Sequence, residues 1–367
     1  MIAKESCEEC KVEGNNSVCL VCAKVFCSEA DHIKNHCNTQ THSIALNGKD
    51  LVFFCYQCKS QIESVKLNPI AKILGAPLAI EYTVEGIVER IKNGNIKRVA
   101  IMAGAGLSVS AGIPDFRTPS AGIYAKLQEY NLPYPEAIFE LGFFKKNPKA
   151  FYTVMQSMAK KYFPTKGHYF IRLLQDKGIL LKVYTQNIDG LEIEAGVKQE
   201  NCMQAHGTIV TSSCVSCRAK VSSDLMVEHI IKGEPLYCSK CKHPCKPDVV
   251  LFGESLPASF FTQSTMISQA DLVIVIGTTL KVTPFADIIN YAGRRVPRLI
   301  VDKVAPKKIS SGKDERNVLM LGEADATLEK LAGMLGWKAE FDVLLKEREG
   351  LIKKYEEDKV KGIAKLF

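Results

Sequence analysis

Two sets of residues in this chain have types and spacings that could do chemistry: cysteines and histidines at metal-ligand intervals, and a glycine turn that runs into polar and charged residues. Cys214-x2-Cys217 and Cys238-x2-Cys241 are C-x-x-C pairs separated by twenty residues. Each pair can offer two thiolates to one ion. Four thiolates close a tetrahedral zinc site and leave no position for water, so the expected role is structural. A second set precedes it: Cys7, Cys10, Cys19, Cys22, Cys27, His32, His36, His42, Cys55 and Cys58. Its order suggests one zinc held by three cysteines and a histidine, and a second held by two of each. Spacing alone does not fix the pairing. Cys202 and Cys245 stand outside both sets and read as buried thiols.

The glycine turn is Gly104-Ala105-Gly106-Leu-Ser108-Val-Ser110, and it follows the apolar run Lys97–Ala103. Glycine lets a backbone turn sharply and approach a pyrophosphate, which can sit on amide groups, and the two serines could add donors. The spacing is G-x-G-x5-G rather than G-x-G-x-x-G. No acid stands about twenty residues later at the end of a second strand, where it could hold a ribose. Pro114 then stops a helix and leaves Asp115, Phe116 and Arg117 on a loop beside the expected phosphates. Arg117 can neutralise pyrophosphate charge, Phe116 can cover a ring, and Asp115 can hold a polar head. Such a trio suits an enzyme that breaks a nicotinamide–ribose bond, because it must exclude water and cage a leaving group. Thr185-Gln186-Asn187-Ile188-Asp189 begins at the end of a second apolar run, where open α/β sheets place ligand contacts. His206-Gly207 comes shortly after. A histidine there reads either as a structural residue or as a catalytic one.

The elements that must position these groups are legible from the pattern. Lys97–Ala103, Ile179–Tyr184, Asp271–Ile276 and Arg298–Val301 are short and rich in β-branched residues, and helical stretches such as Thr83–Lys92 and Ala324–Leu335 separate them. Strands apolar throughout predict a parallel sheet covered on both faces, a Rossmann-like doubly wound α/β fold. The second cysteine set, within about 207–248, interrupts this alternation as an inserted small zinc-binding module. The expected organisation is a Cys/His zinc-finger domain over 1–62, a linker over 63–80, the α/β domain over 81–340 and a charged, solvated terminal helix over 341–367. The finger is too short to build a large core and needs a metal staple.

Composition bounds the partners. The chain has 367 residues, 46% apolar and 24% charged, with a net charge of +8. It contains no run of five like charges and no direct nucleic-acid motif. No apolar stretch approaches the ~18 residues that a membrane helix needs. The first ten residues lack an apolar signal core. Clustered C-x-x-C pairs without a secretion signal point to a reducing compartment and to metal ligation rather than disulfides, with a cytoplasmic and/or nuclear location expected.

Five segments, GAGLSVSAGIPDFR (104–117), TQNID (185–189), AHG (205–207), KPDVVLFGE (246–254) and GTTLKVTPF (277–285), resemble the sirtuin family in order and spacing, over about 81–337. PYPEAIFELGFFKKNP (133–148) resembles the cytosolic tubulin- and histone-deacetylase branch. The resemblance implies an enzyme that removes an acetyl group from protein lysine and consumes NAD. It implies cofactor contacts from Gly104, Ala105, Gly106, Ser108, Asp115, Phe116, Arg117, Gln186, Asn187, Asp189, Gly277, Thr278, Thr279, Asp302 and Ala324. Asn187, Asp189 and His206 would be catalytic, with His206 as general base on a ribose hydroxyl; an ordinary histidine pKa of ~6.5 suits that task. Val250 and Phe252 would wall the acyl-lysine tunnel, and a substrate peptide would add as a strand near Gly253-Glu254 and Lys281-Val282. Family members commonly carry asparagine at the position of Asp302; an aspartate also accepts from ribose hydroxyls, so NAD is expected to bind and NADP to be disfavoured. The desuccinylase branch uses a Tyr-x-x-Arg pair. Here Tyr152 is followed by Met155, which predicts acetyl and apolar acyl groups over dicarboxylates. The rival readings are a mono-ADP-ribosyltransferase on the same site, and a protein that binds NAD or ubiquitin without turnover.

The N-terminal set resembles the ubiquitin-binding zinc finger of the UBP type, including FCYQC (54–58). The resemblance implies a pocket for the free C-terminus of ubiquitin. Phe54 and Tyr56 match aromatic positions. Ser17 replaces a usual tryptophan, and Glu29 replaces a usual arginine and would repel a carboxylate.

Overall fold

The computed structural model describes residues 5–74, 80–114, 132, 134–310 and 314–360. Two compact units divide the chain, Met1–Glu81 and Tyr82–Phe367.

In the first unit β1 (Asn16–Cys19), β2 (Val25–Cys27), α1 (His32–Thr39), β3 (Ile44–Asn47), β4 (Phe53–Cys55) and β5 (Ser60–Gln61) are followed by α2 (Asn68–Leu74). The strands form one antiparallel sheet in the order β2-β1-β3-β4-β5. Its core is small: Phe26, Ile33, Cys37 and Ala45 on one side, Leu46 and Phe53 on the other. The stretch expected as a linker supplies α2, whose Ala71 is buried with Leu46 and Phe53. So few apolar side chains need a staple.

The second unit runs α3 (Val84–Lys92), β6 (Val99–Ala103), α4 (Leu141–Lys146), α5 (Pro148–Ser157), α6 (Lys166–Asp176), β7 (Leu180–Thr185), α7 (Leu191–Glu194), β8 (Cys202–Gln204), β9 (Gly207–Cys214), β10 (Lys220–Val221) and α8 (Ser223–Lys232). It continues with β11 (Cys245–Val249), α9 (Ala258–Gln263), β12 (Leu272–Ile276), β13 (Arg298–Asp302), α10 (Lys307–Ser310), β14 (Asn317–Leu321), α11 (Ala324–Leu335) and α12 (Lys338–Val360). Six strands make a parallel sheet in the order β14-β13-β12-β6-β7-β8. Alternate residues of β6 and β12 serve two cores. Val99, Ile101, Leu272 and Ile274 join the layer of α3, α6 and α11; Ala100, Met102, Val273 and Val275 join the opposite layer with Phe260 and Phe285. This is the doubly wound architecture that uninterrupted apolar strands demand.

Helix starts follow local rules. Thr83 caps α3 by accepting from the Gly86 N–H, and Thr165 and His168 form a reciprocal capping box on α6. β9, β10 and β11 form a separate antiparallel sheet, β10-β9-β11, which with α8 is the inserted module. Two strands of the parallel sheet went unread in the sequence, β8 and β14. Both are sheet edges, and β14 leaves Leu319 and Leu321 exposed. The expectation of a solvated terminal helix is corrected at its start. Phe341 is fully buried with its ring 6.4 Å from that of Phe170, and the Arg348 Nε donates to the Pro164 carbonyl at 2.7 Å.

Candidate active site and metal centres

β6 and β12 are adjacent, and the sheet order reverses between them, which leaves a crevice at their carboxyl ends. Two glycine turns cross there. A Cβ on Gly106 would lie 2.6 Å from the Gly277 Cα, and one on Gly104 would lie 2.6 Å from the Thr278 Cβ. The Gly106 N–H donates to the Gly277 carbonyl at 2.9 Å. Gly106 therefore serves close packing of the turns rather than donation to a phosphate. Ala105 opens the short 3-10 turn Ala105–Leu107. Ser110, expected as a phosphate donor, instead donates to Asp325 at 2.8 Å, next to Ala324 at the start of α11. Asp325 also accepts the Gly167 N–H at 2.9 Å, tying α11 to α6.

The polar residues after β7 converge on this crevice. Asn187, buried, donates through Nδ2 to the Gly104 carbonyl and to Ser108 Oγ, both at 3.2 Å. Ser108 Oγ in turn donates to Asp189 at 2.7 Å, and the other oxygen of Asp189 accepts the Leu191 N–H at 3.0 Å. Burial pushes the Asp189 carboxyl up; the Leu191 N–H and the Ser108 hydroxyl oppose that. Thr278 Oγ1 donates to Gln186 Oε1 at 2.7 Å, so a side-chain bridge ties the turn after β12 to the loop after β7. Thr279 is exposed. Asp302, at the end of β13, is raised by burial, against backbone donation from Lys303, Val304 and Thr278, which places it beside Thr278.

His206 follows β8. Its Nδ1–H donates to the Gln186 carbonyl at 3.1 Å. That bond fixes the tautomer and leaves Nε2 as the unprotonated, basic nitrogen. Burial lowers its pKa, opposed by the Gln186 carbonyl, so the neutral form dominates at neutral pH. Gly207 is required next: its φ is +78°, and a Cβ there would lie 2.0 Å from the Asp248 carbonyl oxygen. Asp115, Phe116 and Arg117 lie outside the described residues.

The segment 246–254 closes on itself at the same end. Val250 N–H donates to the His206 carbonyl at 2.8 Å. Phe252 is 54% exposed, and its backbone bonds Phe139 and Leu141. Lys246 and Glu254, both buried, pair at 2.9 Å; Lys246 Nζ also donates to the Val249 carbonyl at 2.6 Å, and Glu254 Oε2 accepts the Leu251 N–H at 2.9 Å. The expected strand pairing near Glu254 and Val282 is narrowed, because the Glu254 N–H is bound to the Leu251 carbonyl and the Val282 carbonyl to the Ala286 N–H. Gly253, at φ +91°, and the exposed Lys281 flank those positions.

Tyr152 corrects the acyl-chain argument. It is fully buried, and its hydroxyl donates to the Cys245 carbonyl at 2.8 Å in the core between α5 and the inserted module. It faces no acyl group, so the comparison built on Tyr152 and Met155 has no bearing on chain preference. Sequence reasoning also missed the Lys246–Glu254 pair, and it missed His168 and Glu192, which lie buried beside Asp189.

The metal ligands assemble as three groups, each with its ligand atoms within 4.8 Å of one another. Cys214, Cys217, Cys238 and Cys241 form one; Cys214 and Cys241 Sγ lie 3.4 Å apart. Backbone N–H groups of Cys241 and Lys240 push the Cys238 thiol down to about 6. Cys241 is pushed up to about 11, because burial and its three cysteine neighbours outweigh the His243 N–H. Four crowded thiols that compete to ionise are the donor set a divalent zinc relieves. In the finger the pairing left open by spacing is interleaved: Cys7, Cys10, Cys27 and His32 form one site, and Cys19, Cys22, His36 and His42 the other. Both ion types, three cysteines with a histidine and two of each, match the expectation. α1 supplies His32 to one and His36 to the other. All fourteen cysteines are free of disulfides, with Cys202 and Cys245 buried. Ser17 is buried and bonds Ser28 Oγ at 3.0 Å, Glu29 is exposed, and the Phe54 and Tyr56 rings meet edge to face at 5.0 Å. No helix among the described residues is long and apolar enough to cross a membrane.

The Sir2 family model matches residues 104–284, and the model described as Zn-finger in ubiquitin-hydrolases and other protein matches 7–67. The chain is 42% identical over 305 residues to NAD-dependent protein deacetylase sirtuin-2 of Danio rerio, covering 78% of this chain and 79% of the relative. It is 40% identical over 272 residues to NAD-dependent protein deacetylase sirtuin-3 of Mus musculus, covering 73% and 81%. To NAD-dependent protein deacetylase hst2-2 of Emericella nidulans it is 41% identical over 286 residues, covering 77% and 80%. With the crossed glycine turns, the Gln186–Asp189 network and His206 all at one switch point, the chain belongs to the Sir2 family.

Proposed function

We propose that the second unit is an NAD-dependent protein-lysine deacetylase, with His206 as its general base. The observation that carries this reading is the His206 tautomer: Nδ1 is spent on the Gln186 carbonyl, and Nε2 is left basic beside a polar crevice at the switch point. The relatives named as deacetylases support the reaction class. In it, the crossed turns at Gly106 and Gly277 bring backbone close to the cofactor's diphosphate, Asn187, Asp189 and Gln186 shape the nicotinamide end, and Asp302 accepts from the adenosine ribose. His206 Nε2 takes a proton from a ribose hydroxyl so that the hydroxyl can accept the acyl group. Val250 and Phe252 wall the acetyl-lysine tunnel, and the acetylated peptide lies along Gly253 and Lys281. The acetyl oxygen displaces nicotinamide from the ribose carbon, and one water completes cleavage from the lysine nitrogen, so the products are nicotinamide, O-acetyl-ADP-ribose and the free lysine. The catalytic unit spans 81–340, with the finger before it as an interaction module.

The test is nicotinamide release from NAD, with and without an acetyl-lysine peptide, in the wild type and in His206→Ala. Near-wild-type deacetylation by the variant rules out this base. The finger is assigned to the ubiquitin C-terminus on its family match. A buried Ser17 and an exposed Glu29 weaken the expected affinity. NMR titration with ubiquitin, and with ubiquitin lacking its last two glycines, tests it. Shifts from the intact form alone support the assignment, and shifts from neither reject it.

A further inference from the structure

Behind the catalytic crevice, His168 on α6, Asp189 on the β7–α7 turn and Glu192 on α7 bring an imidazole nitrogen and two carboxylate oxygens within 4.8 Å of one another. His168 and Glu192 are both 0% exposed. Neither oxygen of Glu192 makes a well-formed hydrogen bond among the described residues, although the Thr185 hydroxyl and its own backbone N–H act on it, and His168 Nε2 has no partner there. Asp189 is differently placed, with both oxygens satisfied by Ser108 and Leu191.

The hydrogen bonds of His168 decide what this cluster can hold. Its Nδ1 accepts the Thr165 N–H at 3.0 Å, so in the neutral ring Nε2 carries the proton. A metal ligand would need the opposite tautomer, with Nε2 bare. His168 Nε2–H is therefore a buried donor without a partner among the described residues, and His168 cannot ligate an ion through that nitrogen. A fully buried carboxylate beside a half-buried one, with a neutral imidazole and no paired cation, cannot carry two negative charges cheaply.

We propose that Glu192 is held protonated beside Asp189 and acts as a positioning residue: it keeps the cluster at one negative charge, so that Asp189 stays fixed on Ser108 and the crevice accepts the anionic cofactor. Burial, with the Asp189 charge second, pushes the Glu192 carboxyl up to about 8. The groups that face it are Asp189, Thr185 from β7 and His168 from α6. Cys202 from β8 lies against it, with Lys182 beyond. Lys182 Nζ is committed to the Glu200 carbonyl at 2.6 Å. Glu194, which also acts on Asp189, is paired with Lys161 at 2.6 Å. The functional part of this inference rests on the deacetylase reading; the stored proton does not.

Two measurements on the full chain test it. Wild-type minus Glu192→Gln infrared difference spectra at pH 7 should show the carbonyl stretch of one protonated carboxylic acid. Steady-state kinetics then use an acetyl-lysine peptide with no group titrating between pH 7 and 9. With a carboxyl near 8, about nine-tenths of the wild type is ionised at pH 9, so KM for NAD should rise about tenfold while kcat falls less. Glu192→Gln, neutral at every pH, should lose that rise. Absence of the acid band, or an alkaline rise that persists in Glu192→Gln, overturns the proposal. A protein that shows the band but releases no nicotinamide leaves the stored proton standing and refutes the deacetylase reading instead.

Discussion

Replacing Lys246 with methionine should show how the substrate wall is held. Lys246 and Glu254 are the first and last residues of the KPDVVLFGE segment, and their side chains are only 5% and 6% exposed. The ammonium bonds Glu254 and the Val249 carbonyl; the carboxylate also takes the Leu251 N–H. Between them lie Val250 and Phe252. Methionine fills similar volume but leaves the carboxylate buried with one N–H and with Arg218, 67% exposed, at 3.6 Å. Removing one partner of a buried pair costs about 3–5 kcal/mol, and the remaining Arg218 argues for the lower end, about 3. For a unit of this size that is a fall in Tm of about 6–12 °C. On the proposed reading, in which Val250 and Phe252 wall the acyl tunnel, KM for the peptide should rise more than kcat falls, and KM for NAD should hardly move. Lys246→Met/Glu254→Leu, which removes both charges, should recover at least about 2 kcal/mol of the loss in urea unfolding. A loss under about 1 kcal/mol for Lys246→Met, with peptide KM unchanged, would refute the account.

Other perturbations read other parts of the molecule. His206 is lowered from its ordinary value by burial, so it stays neutral to below pH ~6.5 and kcat/KM should hold its plateau to that pH before the acid fall; a fall centred above 7 contradicts the placement. His168, fully buried, is pushed down to about 3. The unfolded chain then binds the proton first, so stability by urea titration should decline as pH falls from about 6.5 toward 3, and His168→Gln should flatten that decline. Zinc content of the full chain should be about three ions, falling to about two in Cys238→Ser with loss of the module's protection from proteolysis. Gly207→Ala forces a Cβ to 2.0 Å from the Asp248 oxygen at φ +78°; it should cost at least about 2 kcal/mol and lower kcat, which depends on His206 alongside.

How much of this was legible depended on whether the signal was local. Val99–Ala103 and Leu272–Ile276 announced themselves because both faces of a central parallel strand are buried, and the sequence then shows no polar alternation. The four-cysteine site was legible because a C-x-x-C knuckle is built from neighbours. The finger's pairing was not, because Cys7 and Cys10 meet His32 only once β1, β2 and α1 have folded. β8 is three residues long and takes its identity from pairing with β7. Lys246, His168 and Glu192 were invisible as a class: a charge in a sequence reads as surface, and only packing reveals that it has been buried with a partner or a proton.

That last class bears on why this crevice works. Asn187, Ser108 and Asp189 are bonded to one another, and Thr278 to Gln186. A pocket whose polar groups waited unbonded would have to order them on binding, at the cost of side-chain entropy for each. Here the ordering is done by folding, and a ligand only exchanges partners within a fixed frame. The frame is fixed from outside the pocket: the crossed glycines set the floor, His206 is oriented by a backbone carbonyl rather than by a second side chain, and Asp189 is backed by residues that never reach the crevice. Substitutions one layer behind the site should therefore change how tightly the cofactor is held more than they change the chemistry proposed for His206.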